Sequence, residues 1–97
     1  MEFEDIVNTL ASFENVNRAI VYGSRAKGTY KPFSDIDLTL CGDKLTQTDI
    51  LRIADRFEDS NLPYMFDISD FSNLTNPDLI DHIKRRGITI FEREEKL

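Results

Sequence analysis

The feature that most limits how this chain can fold is a pair of short strands separated by a glycine-containing basic loop. Residues 18–22 are apolar from Ala19 onward and run directly into Gly23, which predicts a buried strand over 18–22 that stops abruptly. Residues 35–40 alternate between polar and apolar side chains, which predicts a second strand with one buried face. Because side chains two apart leave a strand on the same side, we expect Asp35 and Asp37 to share one face of a sheet.

Apolar spacing predicts three helices and two further strands in the remaining sequence. The helices are expected over residues 3–13, 46–60 and 77–86, and the strands over residues 64–68 and 88–91. Residues 92–97 are charged and are expected to form a solvated tail. This order of elements predicts one α/β domain over residues 1–97, with helices packed on a small sheet.

Residues at the predicted helix ends support these boundaries. Thr46 is expected to cap the second helix in a capping box with Asp49, three residues later. Asn76 before Pro77 predicts an N-cap followed by a proline in the first turn. Gly87 follows three basic residues and fits the C′ position, at which a left-handed glycine commonly ends a helix.

Composition excludes several classes of protein. A chain of 97 residues, 40% hydrophobic and 31% charged, is typical of one soluble globular domain. No apolar run approaches the roughly 18 residues of a membrane span, and a single cysteine cannot form an internal disulfide, so a cytoplasmic protein is expected. The net charge of −6 argues against direct binding of a nucleic-acid polymer and favours a small phosphorylated ligand.

The two acids of the second strand have the spacing of a metal site. Two residues along a strand span about 6.6 Å, so Asp35 and Asp37 can bracket one hard cation or a pair that shares substrate phosphates. Mg²⁺ suits this arrangement because it prefers a few carboxylates completed by phosphate oxygens and water. The alternative interpretation is an exposed acidic strand face without a ligand.

Gly23 and Ser24 follow the first strand at a predicted turn. A glycine lets the backbone approach a phosphate closely, Ser24 adds a hydroxyl donor, and Arg25 and Lys27 add nearby cations. The alternative is an ordinary turn with solvated basic side chains. A Walker A loop does not fit, because Gly28 is not followed by the required Lys-Ser or Lys-Thr pair.

Taken together, the sequence GSRAKG from Gly23 and the sequence SDIDL from Ser34 resemble the signature of the polymerase-beta-like nucleotidyltransferase superfamily, and in particular its minimal nucleotidyltransferase branch. The resemblance covers nearly the whole chain. It implies a single small α/β domain with a mixed sheet of about four strands and helices packed against it.

The resemblance also implies which residues bind a nucleoside triphosphate and its metal ions. The implied phosphate-binding residues are Gly23, Ser24, Arg25 and Lys27. Asp35 and Asp37 would hold two Mg²⁺ ions, and ATP would be the nucleotide donor. A third carboxylate on a neighbouring strand usually completes such a site, and Asp67 stands in the matching place. Asp70 is a rival, although it follows the predicted strand and falls outside its alternation.

The implied activity is transfer of AMP to a hydroxyl, with pyrophosphate leaving. Proteins similar to this one commonly pair with a small helical HEPN-type toxin, and the nucleotidyltransferase acts as antitoxin by adenylylating a tyrosine of that toxin. Two other readings stay open: transfer to a small molecule such as an aminoglycoside, and neutralisation of a partner by contact alone. An exposed sheet edge would also permit a homodimer or a hetero-oligomer.

Overall fold

The structure is a computed structural model that describes residues 4–23, 36–60 and 65–93. In chain order the elements are α1 (Glu4–Ala11), β1 (Arg18–Tyr22), β2 (Ile36–Cys41), α2 (Gln47–Asp59), β3 (Phe66–Asp70), a 3₁₀ turn (Phe71–Asn73), α3 (Pro77–Arg86) and β4 (Ile88–Glu92). This order confirms the predicted α/β class. None of the helices in the described ranges has the length and apolar character needed to cross a membrane.

The strands form one mixed sheet in the order β3-β2-β1-β4. The central strand β1 runs antiparallel to both of its neighbours, whereas β2 and β3 run parallel. A parallel pair needs a long crossover connection, and α2 lies within the segment that joins β2 to β3. The predicted mixed sheet of about four strands is therefore confirmed.

One face of the sheet forms the main core. Every second strand residue points to this face and is buried against α1 and α2. These helices contribute Ile6, Leu10, Ile50, Ile53 and Phe57 to the core. The fully buried strand residues include Ala19, Val21, Ile36, Leu38 and Leu40. Burial of these side chains supplies most of the favourable free energy of folding, at about 25 cal/mol per Å² of apolar surface.

The described residues cover the opposite face only in part. Helix α3 packs there through the buried Ile83, which contacts a smaller cluster containing Ile20 and Tyr22 of β1. The alternation of β2 and β3 places polar residues on this side, among them Asp37 and Asp67. The sheet therefore has one closed apolar face and one face available for chemistry.

The start of α2 has the predicted capping box. The hydroxyl Oγ1 of Thr46 accepts from the backbone N–H of Asp49 at 3.1 Å, and Oδ2 of Asp49 accepts from the backbone N–H of Thr46 at 3.0 Å. The same carboxylate oxygen accepts from the side-chain amide of Asn15 at 3.1 Å. The hydrogen bond from Asn15, followed by that from the Thr46 backbone, lowers the pKa of Asp49 below its ordinary value.

This cap predicts a pH-dependent stability effect. A carboxyl whose pKa is lower in the folded than in the unfolded chain stabilises the fold above the unfolded value near 4, and this contribution is lost as pH falls through the folded value. We therefore expect Asp49→Ala to lower the free energy of unfolding at pH 7 by up to about 1 kcal/mol, the size typical of a helix cap. Urea unfolding at pH 7 and pH 3 measures the difference, which should shrink at the lower pH. Asp55→Ala, on the same helix, controls for the lost charge, and a deficit independent of pH would contradict the assignment.

Several sequence predictions about these elements need correction. Helix α1 ends at Ala11 rather than at residue 13, and β3 spans Phe66–Asp70 rather than residues 64–68, with residues 61–64 outside the described ranges. Gly87 follows α3 with a φ of −67°, so it is not left-handed. Glycine is needed there because a Cβ would overlap the carbonyl oxygen of Ile83 and crowd Ile20.

The predicted solvated tail begins later than expected. Glu92 still belongs to β4, and the backbone N–H of Arg93 donates to the carbonyl of Asn17 at 2.8 Å. The guanidinium of Arg93 also donates to the carbonyls of Val16, at 3.1 Å, and of Phe13, at 3.2 Å. Arg93 therefore ties the end of β4 to the segment between α1 and β1. Residues 94–97 lie outside the described ranges.

Candidate active site

Two carboxylates lie side by side on the open face of the sheet. Asp37 of β2 and Asp67 of β3 are register partners in the parallel pair, so both side chains leave the same face. Neighbouring strands are about 4.8 Å apart, a separation at which two carboxylates can share a cation. Asp37 is half-buried and Asp67 is exposed. The fold thus brings an acid of the second strand and Asp67 of a neighbouring strand to the same face of the sheet.

Gly23 brings the backbone of the β1 turn against this pair. Its φ is +76°, in the left-handed region that glycine adopts without steric cost. A Cβ at this position would overlap the carboxylate oxygen Oδ2 of Asp37. The backbone at Gly23 is therefore packed directly against the carboxylate of Asp37, and only glycine allows it.

Tyr22 is the third member of the same row of the sheet. It is the antiparallel register partner of Asp37, so its side chain lies on the same face as the two carboxylates. Burial raises the pKa of the Tyr22 hydroxyl, a hydrogen bond with Ser69 lowers it, and the negative charges of Asp37 and Asp67 raise it further. The phenol is therefore neutral at physiological pH and lies within electrostatic range of both acids.

A second polar row lies two residues along the strands. Thr39 of β2 and Ser69 of β3 are register partners, and Oγ of Ser69 donates to Oγ1 of Thr39 at 3.0 Å. Thr39 is fully buried. A strand pattern alone does not reveal this hydrogen bond, which joins residues 30 positions apart.

Asp70, the rival third carboxylate, does not join the pair. It is the last residue of β3 rather than a residue after the strand, and it is the register partner of Leu40, out of phase with Asp67. Its side chain caps the following 3₁₀ turn, where Oδ1 accepts from the backbone N–H of Ser72 at 3.0 Å and from its hydroxyl at 2.7 Å. Asp70 is 8% exposed, and its role is structural.

The donor set at this face fits a hard cation. Carboxylate oxygens are the ligands that Mg²⁺ prefers, and the described part of the site offers two of them on adjacent strands. Within residues 4–23, 36–60 and 65–93, no group of three or more His, Cys, Asp or Glu side chains is placed to hold a metal ion. The remaining predicted site residues, Ser24, Arg25, Lys27 and Asp35, lie outside the described ranges.

A large polar groove lies elsewhere on the molecule. It has a volume of about 650 Å³ and is lined by residues 12–15 and by polar residues of α2, including Asp49 and Arg56. The groove includes neither Asp37 nor Asp67, and the guanidinium of Arg56 stacks over the ring of Phe13 at 5.8 Å. The groove contains neither carboxylate of the acidic pair, so the acidic pair remains the better candidate site.

Comparison with known proteins places this chain among the nucleotidyltransferases. A family model described as polymerase beta, nucleotidyltransferase, matches residues 4–96. A probable protein adenylyltransferase from Haemophilus influenzae, MntA, is 32% identical over 77 residues, which make up 76% of this chain and 65% of that protein. The chain therefore spans slightly less than two thirds of the length of this relative.

Solved structures share the fold. A crystal structure of a toxin–antitoxin with AMP-PNP matches with a TM-score of 0.79 and 19% identity, over 97% of this chain and 76% of that chain. A complex of an MNT antitoxin with a tri-AMPylated HEPN toxin from Shewanella oneidensis matches with a TM-score of 0.68 and 16% identity, over 93% and 69% of the two chains. At these identities the likeness concerns the fold.

Proposed function

Because this chain belongs to the polymerase beta nucleotidyltransferase family, we propose that it transfers AMP from ATP to a hydroxyl group. The observation that carries the proposal is the pairing of Asp37 and Asp67 on adjacent parallel strands, with the backbone of Gly23 in contact with Asp37. This places a cation-binding pair next to a glycine turn suited to phosphate, the two parts that a nucleotidyl transfer site needs.

Each site residue has a role in this proposal. The carboxylates of Asp35, Asp37 and Asp67 hold Mg²⁺, with two ions expected, and Mg²⁺ bound there neutralises charge on the attacking and leaving oxygens. The phosphates of ATP bind at the turn, through Gly23, Ser24, Arg25 and Lys27. The contact between Gly23 and Asp37 keeps the phosphate-binding backbone and the carboxylates in one fixed arrangement.

We propose a tyrosine hydroxyl of a HEPN-type toxin as the acceptor, with this chain acting as its antitoxin. The relative from H. influenzae is named a probable protein adenylyltransferase, and one structure of similar fold holds an AMPylated HEPN toxin with its MNT antitoxin. The open face of the sheet, covered only in part by α3, leaves the acidic pair accessible to such a partner.

A labelling experiment tests this function. The purified chain is incubated with Mg²⁺, ATP labelled at the α-phosphate and the HEPN-type protein encoded beside it. We expect label on the toxin, lost with EDTA and absent when ATP carries the label at the γ-phosphate. A toxin variant with its tyrosines changed to phenylalanine should stay unlabelled. Label on an added aminoglycoside but not on the toxin would favour the small-molecule reading, and toxin neutralisation without label would favour binding alone.

A further inference from the structure

Helix α3 ends in three consecutive basic residues, Lys84, Arg85 and Arg86. All three are exposed, on a chain whose net charge is −6. Basic side chains in the last turn stabilise a helix through its dipole, and this general effect applies to all three alike. A role at the transfer site would instead require that one of them lies closer to that site than its neighbours do.

The junction between α3 and β4 lies at the end of the sheet that carries the acidic pair. Strand β4 begins at Ile88, the register partner of Val21, which immediately precedes Tyr22 in β1. Tyr22 is in turn the register partner of Asp37. Because β4 and β2 are second neighbours in the sheet, the start of β4 lies about 10 Å from the strand that carries Asp37.

One side of α3 faces Tyr22. The ring of His82 meets the ring of Tyr22 edge to face, with centroids 6.5 Å apart and planes at 75°. Residues four apart in sequence lie on the same side of a helix, so Arg86 follows His82 on the side that contacts Tyr22. Since Tyr22 lies in one row of the sheet with Asp37, this is the side of α3 toward the acidic pair.

Its position on α3 distinguishes Arg86 from its two basic neighbours. Arg85 lies one turn after Asp81 and pairs with that carboxylate at 2.9 Å, with both side chains more than 60% exposed. Lys84 precedes Arg86 by two residues, which places it about 200° away around the helix axis. In the described part of the chain, no carboxylate lies within ion-pair distance of Arg86.

The glycine turn lies beside this end of α3. The antiparallel ladder between β1 and β4 ends with the pair Val21 and Ile88. Gly23 and Arg86 are each two residues beyond that pair, so the two chain segments leave the ladder side by side. The phosphates proposed to bind at the turn and the carboxylate of Asp37 are all negative, and a guanidinium binds phosphate oxygens with two parallel hydrogen bonds.

We propose that Arg86 is a further phosphate-binding residue of the transfer site, whose guanidinium binds the β- and γ-phosphates of ATP beside the turn at Gly23. The inference rests on the proposed function, since it takes ATP as the donor and this turn as the phosphate site. It gives α3 a second role besides packing on the sheet through Ile83.

Calorimetric titration of the whole chain with AMP-PNP and Mg²⁺ tests this role without relying on turnover. Arg86→Ala should weaken AMP-PNP binding by at least about tenfold, the size expected for one hydrogen bond to a charged group. AMP, which lacks both phosphates, should bind the wild type and this variant alike. Arg86→Lys keeps the charge but not the two parallel hydrogen bonds, and should recover part of the lost affinity.

Arg85→Ala is the matched control, because it removes the same charge from the same helical turn. Its AMP-PNP affinity should stay within about twofold of wild type, and both variants should melt close to wild type, since both side chains are exposed. Equal losses of affinity in the two variants would overturn the inference, because they would show only a general effect of charge.

Two further outcomes separate this inference from the proposed function. If Arg86→Ala binds AMP-PNP as the wild type does while Asp37→Asn binds it more weakly, the role of Arg86 is overturned and the proposed function stands. A higher toxin concentration for half-maximal labelling in that variant would then assign Arg86 to docking of the toxin. If the wild type binds no AMP-PNP in the presence of Mg²⁺, the proposed function and the inference are overturned together.

Discussion

Asp37→Asn should abolish AMP transfer while leaving the fold intact. The amide keeps the shape of the carboxylate but removes the charge that binds Mg²⁺, and metal ions supply several kcal/mol of charge stabilisation in such transfers. A loss of about 4 kcal/mol corresponds to a rate about a thousandfold lower. Rates of label transfer from α-labelled ATP to the toxin, under single-turnover conditions, measure the effect.

The same substitution should reduce the stabilisation that Mg²⁺ gives to the fold. Asp37 and Asp67 are like charges on adjacent strands, and a bound cation offsets their repulsion. Added Mg²⁺ should raise the melting temperature of the wild type more than that of Asp37→Asn, since only a ligand that binds the folded chain stabilises it.

Asp70→Asn provides a matched control on the same strand as Asp67. It makes the same chemical change three residues along, and asparagine is as good a cap as aspartate for the 3₁₀ turn. Transfer should stay within about twofold of wild type, since a cap change acts only on local stability. If Asp37→Asn retained transfer at the rate of Asp70→Asn, the acidic pair would not be the catalytic site.

Local pattern was enough to predict most elements of this fold. Strand β1 has its predicted bounds, because an uninterrupted apolar run followed by glycine leaves few alternatives. The second helix begins where predicted because Thr46 and Asp49 satisfy each other's backbone donors within four residues. Strand β3 was misplaced by two residues, since its end is set by the side chain of Asp70 and the turn that it caps.

The site itself depends on contacts distant in sequence. The alternation of β2 and β3 predicted which face each acid occupies, but not that Asp37 and Asp67 would be direct register partners. That pairing follows from the parallel crossover through α2 and from the position of β3 at the sheet edge. The position of Tyr22 beside both acids likewise depends on the pairing of β1 with β2 and of β2 with β3, which the pattern of a single strand does not predict.

Gly23→Ala should impair the site more than it impairs the fold. Alanine at a φ of +76° costs about 1–2 kcal/mol, and its Cβ would also overlap Oδ2 of Asp37. Either the turn or the carboxylate must then move. We expect a lower free energy of unfolding by about 2 kcal/mol, and a loss of transfer of at least about a hundredfold, because small misplacements in an active site are this costly.

Gly42 provides a control that separates the loss of stability from the loss of AMP transfer. A Cβ at Gly42 would overlap the backbone carbonyl oxygen of Asn15, at the other end of β2 from the acidic pair, so Gly42→Ala should also destabilise the fold. Its transfer rate per folded molecule should nevertheless stay near wild type. In an Asp37→Ala background, Gly23→Ala should cost less stability, because only the backbone strain remains once the carboxylate is gone. Equal stability costs in both backgrounds, or equal losses of transfer in the two glycine variants, would show that contact between Gly23 and Asp37 does not organise the site.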